Sequence, residues 1–266
     1  MLSAVWSRLA RVRVTVIYTV ALSVVMVTLV VLGPKVRDNV VRYASTNLHN
    51  LAHGRIGTLL GSAFVADTDL VYLWLPGLVC LLAAAELLWY GRRLATVFIV
   101  GHVGATILVA GGLVLAVESG WLPRSISRAA DVGVSYGVMA VVGALTSAVP
   151  RRFKPMWFGW WLPAAAAVVV VSTDFTDIGH VVALMLGMVI STRLEPPTVW
   201  TRPRRALFRL GTGFGYAVLV HLPELMVVGI PASLLGLATT VLVTRFRQTN
   251  SSARAAAQSA RHDSGG

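Results

Sequence analysis

Charge is scarce in this chain. Only 13% of its 266 residues are Asp, Glu, Lys or Arg, against 56% hydrophobic residues and a mean hydropathy of +0.74. A water-soluble surface needs about 25–35% charged side chains, so a soluble globular domain is excluded and a polytopic membrane protein is indicated. Lysine is nearly absent, at Lys35 and Lys154 only, so arginine supplies almost all of the 23 basic residues that outweigh 11 acidic ones. Such basicity points to nucleic acid when it forms one continuous face. Here the arginines fall in short clusters between apolar runs, where they act as membrane stops, and no nucleic-acid partner is expected. Cysteine occurs once, at Cys80, which excludes an intramolecular disulfide. There is no HExxH, no Cys/His cluster and no Gly-rich phosphate loop, so no metal and no organic cofactor is implied. His49 and His53, spaced i, i+4, are the nearest thing to half a metal site. No repeat relates the two halves of the chain, which argues against a small transporter.

Apolar runs predict an all-α bundle with spans at about 14–32, 71–90, 95–117, 132–149, 156–172 and 177–191. Each approaches the length needed to cross about 30 Å of hydrocarbon at about 1.5 Å per residue. The first run is longer than the ~7–15 residues of a signal core, so it is read as a retained span. Domain organisation follows: a six-span membrane domain over 1–192, a basic loop over 193–210, one or two hydrophobic segments over 211–244, and a disordered basic tail over 245–266. Between Gly33 and Asp69 lies a long connection in which Ile56 to Val65 is apolar but too short to span, and is expected at the interface or dipping into it.

Bases in alternate connections set the orientation. Arg8, Arg11, Arg13, Arg92, Arg93, Arg151, Arg152, Lys154, Arg193, Arg202, Arg204, Arg205 and Arg209 share one side. The other has only Lys35, Arg37, Arg42, Arg55, Arg124 and Arg128. The first side is therefore expected to be cytoplasmic, with the N-terminus, in a multi-pass protein of the plasma membrane. Trp89, Tyr90, Trp157, Phe158, Trp160 and Trp161 are expected at the inner interface, and Trp74 and Trp121 nearer the outer one. For residues 211–244 a single span would place Arg245 and Arg247 outside, whereas a hairpin returns them inside.

Ionisable groups within spans are costly, and each is a functional hypothesis. They are Glu86, His102, His180 and, near the C-terminal segment, His221 and Glu224. Glu86 and His102 could pair across spans two and three as a brace. Asp67, Asp69, Asp131, Asp174 and Asp177 read as solvated span ends, with Asp131 able to tune a nearby site if the loops fold over it. Ser135 lies about 6 Å below the outer end of span four and His180 about 5 Å below that of span six, so the two share a level. A serine becomes a nucleophile at neutral pH when a histidine can take its proton. Gly133, Gly137 and Ala140 on span four, and Ala183 and Gly187 on span six, are small enough to let the helices pack closely. The residues alone leave two readings open: a nucleophile and its base, or an ordinary packing face with Ser135 bonded back to its helix and His180 to a carbonyl.

Gly133-Val134-Ser135-Tyr136-Gly137, with Ala140 and Gly143, resembles the GxSG nucleophile motif of the rhomboid family of intramembrane serine proteases. His180, Ala183 and Gly187 resemble that family's sixth-span HxxGxxxG, and Glu86 with Gly91 is similar to the Glu and Gly that close its second span. The resemblance covers roughly Asn47 to Ser191. It implies a six-helix rhomboid-like bundle in which Ser135 is the nucleophile and His180 the base, cleaving transmembrane substrates near their outer ends. Departures from the pattern imply an alternative. Tyr136 stands where the family has glycine, Met139 where it has a tyrosine packed on the histidine, and the HxxxN pair of the oxyanion hole has no counterpart between Asp69 and Leu75. Loss of one oxyanion donor costs about 3–4 kcal/mol. His102 is a substitute donor by residue type, though placed deeper than Ser135. The alternative is an inactive rhomboid-like protein that binds transmembrane clients.

Overall fold

In hydrocarbon no water is present to bond a backbone N–H or C=O, so a spanning segment closes its hydrogen bonds within a helix. The computed structural model of the chain follows this rule. It describes residues 9–66, 71–172, 174–197 and 199–263, and among them every regular element is helical. Arg8, Asp67 and Asp69 lie outside the described residues. Among the described residues five helices are long and apolar enough to cross a membrane, and a shorter apolar helix covers 135–148. The chain is an integral, multi-pass, all-α membrane protein.

Helix α1 (Arg13–Leu32) buries Thr15, Leu22, Met26 and Leu29 along one stripe and leaves Ile17, Val24 and Val31 exposed, as expected of a helix at the rim of a bundle in lipid. Short helices α2 (Pro34–Ala44), α3 (Leu48–Ala52) and α4 (Thr58–Gly61) follow. The apolar stretch after them packs into the bundle, with Ala63, Val65 and Ala66 buried. Helix α5 (Val71–Glu118) covers both the second and the third of the expected apolar runs. At Tyr90 φ is 68°, and the chain reverses there: Leu82 and Phe98 line one cavity, although a continuous helix would hold them about 24 Å apart. Of the aromatic residues expected at an interface, Tyr90 and Trp121 are exposed, whereas Trp89 and Trp161 are fully buried in the core.

Glu86 explains how α1 docks. Its Oε1 accepts from the backbone N–H of Val14 at 3.0 Å, and its Oε2 accepts from the Thr15 N–H and Thr15 Oγ1, both at 2.8 Å. The carboxylate thus satisfies donors that the first turn of α1 leaves open, at the end where the helix dipole favours negative charge. It braces the bundle as expected, but through α1 and not through His102. Gly91 makes room, since a Cβ there would fall 2.6 Å from Val14 Cγ2. Glu86→Ala is expected to lower stability by about 3 kcal/mol, because it strands buried donors at roughly 1–3 kcal/mol each. Thermal unfolding in detergent checks this, and an unchanged midpoint would mean that α1 docks by packing alone.

At the centre is α6 (Ser135–Ala144), continued by a 3-10 turn (Leu145–Ala148); every residue from Tyr136 to Ala148 is buried. Helices α7 (Lys154–Val171) and α8 (Phe175–Ile190) follow, with α8 capped by Asp174, whose side chain accepts from the Thr176 N–H. The α6–α8 contact forms where the small residues allow it, but the glycines divide the work differently from expectation. Gly143 and Gly187 bring α6 and α8 backbone to backbone, whereas Gly137 faces the Phe98 ring on α5.

Two helices complete the chain, α9 (Arg202–Leu219) and α10 (Pro223–Asp263). Tyr216 on α9 hydrogen-bonds Ser233 on α10 at 2.9 Å, which requires a hairpin about residues 220–222. Helix α9 lies on α5, where a Cβ at Gly211 would meet Leu81 Cα at 2.6 Å, and α10 lies on α7 through Gly159 and Gly236. The hairpin carries Thr240 to Gly159, near the Arg151, Arg152 and Lys154 end of α7. Helix α10 runs on to Asp263 through the residues expected to form a disordered tail. Ala and Arg, abundant there, are good helix formers, and a helix already nucleated extends readily.

Candidate active site

Ser135 is the first residue of α6, not a turn below its start. The preceding segment is held as loop. Asp131 is buried, its N–H donates to Ser45 Oγ at 2.8 Å, and its carboxylate accepts from Thr46 Oγ1 at 3.0 Å. Gly133 adopts φ 131°, which a side chain would oppose, and its N–H donates to the Ser62 carbonyl at 2.9 Å. The long first connection therefore positions the nucleophile candidate from above. Burial raises the Asp131 pKa above the ordinary carboxylate range, although the Thr46 hydrogen bond opposes the shift. Asp131 is thus no solvated span end.

His180 lies on α8, which packs directly on α6, and is 5% exposed. Neither ring nitrogen closes a hydrogen bond, so Ser135 and His180 come to the same end of neighbouring helices without a bond between them. Its near neighbour is Asp177, one helical turn earlier and 1% exposed, with Oδ1 3.5 Å from His180 Nδ1. Asp177 Oδ2 accepts from Ser172 Oγ at 2.6 Å, which fixes the carboxylate. His221, in the turn between α9 and α10, brings its Nδ1 to 3.6 Å from the same Asp177 Oδ1. Asp177, like Asp131, is buried where the sequence suggested a solvated end, because the first connection and the C-terminal hairpin cover this end of the bundle.

The remaining site residues fall around this pair. Tyr136 is 2% exposed, its ring packed on Gly179 and set edge-on to His180 with centroids 5.7 Å apart. Its hydroxyl is turned toward Asp131 without closing a sound hydrogen bond. Met139 and Ala183 are fully buried between the helices. A serine–histidine hydrogen bond does exist, but it joins Ser62 Oγ to His102 Nε2 at 3.1 Å, with both residues buried. His102 neither pairs with Glu86 nor touches His180; ring contacts reach it through Tyr136, 6.2 Å away.

Chemically, this is an acid, a histidine and a serine at one end of the fold. A carboxylate beside Nδ1 favours the tautomer whose Nε2 can accept a proton, and apo geometry between base and nucleophile is commonly longer than in the reacting complex. Sequence reasoning missed two partnerships: Asp177 with His180 and, although His221 itself stood out as an ionisable group in the apolar C-terminal segment, His221 with Asp177. The first was legible as an i, i+3 neighbour of His180 on a helix face. The second, brought in by a distant hairpin, carried no local signal.

Residues 8–195 match the family model described as rhomboid-like protein. No curated protein and no solved structure matches the chain significantly.

Proposed function

Because the chain belongs to the rhomboid-like protein family, we propose that it is an intramembrane serine protease: Ser135 attacks, His180 takes its proton and Asp177 orients the imidazole. One observation carries this reading. The carboxylate of Asp177 stands 3.5 Å from His180 Nδ1 on a helix packed against the one that Ser135 begins, and His180 Nε2 is uncommitted. The first backbone N–H groups of α6 have no capping side chain. They supply donors for an oxyanion at a positive helix end, in place of the missing HxxxN pair. Substrates are transmembrane polypeptides entering from the bilayer, cut near the end of the bundle that holds Ser135. By the distribution of arginine that end faces outward across the plasma membrane, with the N-terminus cytoplasmic.

A second reading is favoured by Tyr136. Its buried ring occupies the place of a family glycine beside the nucleophile, and a bundle so filled can bind transmembrane clients without cutting them. Labelling of the detergent-solubilised protein by a fluorophosphonate separates the two. The protease reading expects labelling of wild type that disappears in Ser135→Ala and in His180→Ala, both still folded. An unlabelled but folded wild type, treated with chelator and set beside a labelled active rhomboid, would leave the client-binding reading.

A further inference from the structure

The group around Asp177 has a property that serine chemistry does not use. Asp177 Oδ1 lies 3.5 Å from His180 Nδ1 and 3.6 Å from His221 Nδ1, and one ligand atom from each residue falls within 4.8 Å of the others. These spacings exceed the roughly 2.7–2.9 Å of a charge-assisted hydrogen bond. The two spacings from Asp177 match instead the edge of a tetrahedron around an ion with bonds of about 2.0–2.1 Å, which is about 3.4 Å. Asp177 Oδ1 and both nitrogens of His180 are buried and bond to nothing among the described residues. Buried polar atoms are nearly always paired, so the two that face each other here, Asp177 Oδ1 and His180 Nδ1, with His221 Nδ1 beside them, call for a ligand.

We propose that Asp177, His180 and His221 bind a divalent transition-metal ion of the zinc type. Two imidazoles and one carboxylate suit such an ion, whereas magnesium and calcium prefer oxygen alone. The Ser172 hydroxyl, bonded to Asp177 Oδ2, is the supporting contact that leaves Oδ1 for the ion. The fourth position opens on the side of His221, whose side chain is 45% exposed. The ion ties the α9–α10 turn to α8. One consequence rests on the serine reading above: a neutral imidazole coordinated through Nδ1 carries its proton on Nε2, so a loaded His180 cannot accept the proton of Ser135, and the metal holds the protease silent.

The test is titration of full-length, untagged, chelator-stripped protein in detergent with Co2+, followed by its visible ligand-field absorption and by displacement with Zn2+. One Co2+ per chain is expected, with an absorption typical of low-symmetry four-coordination. His221→Ala, at an exposed turn, is expected to weaken binding more than about 100-fold, since losing a ligand exceeds the roughly 10–100-fold effect of losing a supporting group. The His49→Ala/His53→Ala double variant is expected to bind as wild type does. Absence of binding, binding that persists in His221→Ala, or binding that vanishes in the His49/His53 variant would overturn the proposal. Fluorophosphonate labelling in the presence of chelator reports on the serine alone, so either reading can fail without the other.

Discussion

Replacing Gly187 with leucine is expected to leave little folded protein. A Cβ at Gly187 would sit 2.0 Å from the carbonyl oxygen of Ala140 and 2.9 Å from the N of Ala144. Reciprocally, one at Gly143 would sit 2.1 Å from the carbonyl oxygen of Leu184. These neighbours are backbone atoms of the facing helix and cannot rotate away, so α6 and α8 must separate. Overpacking usually costs about 1–3 kcal/mol because side chains give way. Here the whole interface opens, and with it the burial of Val138, Met139, Val141, Ala183 and Leu184. Even Gly187→Ala should therefore be severe. Two glycines serve as controls. At Gly104 the nearest atom is Leu186 Cδ1 at 3.2 Å, which can shift, and at Gly213 nothing lies within 4 Å. Gly104→Ala should be mild, and Gly213→Ala should raise stability by up to about 1 kcal/mol, the helix-propensity difference. Thermal melts and size-exclusion profiles in one detergent give the ranking. A Gly187→Leu protein that melts with wild type would show that the two helices are not in backbone contact.

The membrane architecture was legible in the sequence because apolar run length is a direct physical requirement of the bilayer. The stretch from Val14 to Leu32 became α1 almost residue for residue, and the runs on either side of Tyr90 became two helical arms joined at a reversal. The pairing of the helices bearing Ser135 and His180 was legible too, through small residues spaced for close approach. What could not be read was which partner each small residue meets. Gly137 meets Phe98 and Gly143 meets Leu184, although both lie on one short helix. Polar side chains were harder still, because their partners are distant in sequence. Nothing local says that Glu86 receives the first turn of α1, or that His102 bonds Ser62. The same holds for His221, which reaches Asp177 only once α9 and α10 have folded back on each other. Asp131 and Asp177 looked solvated because they flank spans. They are buried because two other segments close over that end.

Asp177→Asn is expected to slow fluorophosphonate labelling of Ser135 by about 10⁴-fold, the scale seen when the acid of a serine–histidine–acid triad loses its charge. Asparagine keeps the shape of the side chain and can still accept from Ser172 Oγ, so the loss should not come from misfolding. The effect lies in the proton. A carboxylate holds the His180 hydrogen on Nδ1 and leaves Nε2 with a lone pair toward Ser135, whereas an amide can donate to Nδ1 and move the hydrogen to Nε2. In that tautomer the ring is no base for the hydroxyl. The carboxylate also stabilises the imidazolium that forms as Ser135 attacks, and the amide cannot. Labelling is measured with chelator present, so that coordination by the same residues does not contribute, and it should fall in rate at saturating probe with little change in probe affinity. Equal loss from Asp177→Ala, with both variants melting near wild type, would place the charge and not the packing at the origin. An Asp177→Asn protein that labels as fast as wild type would reduce the Asp177–His180 approach to helix geometry and leave His180 to act, if at all, without an acid behind it.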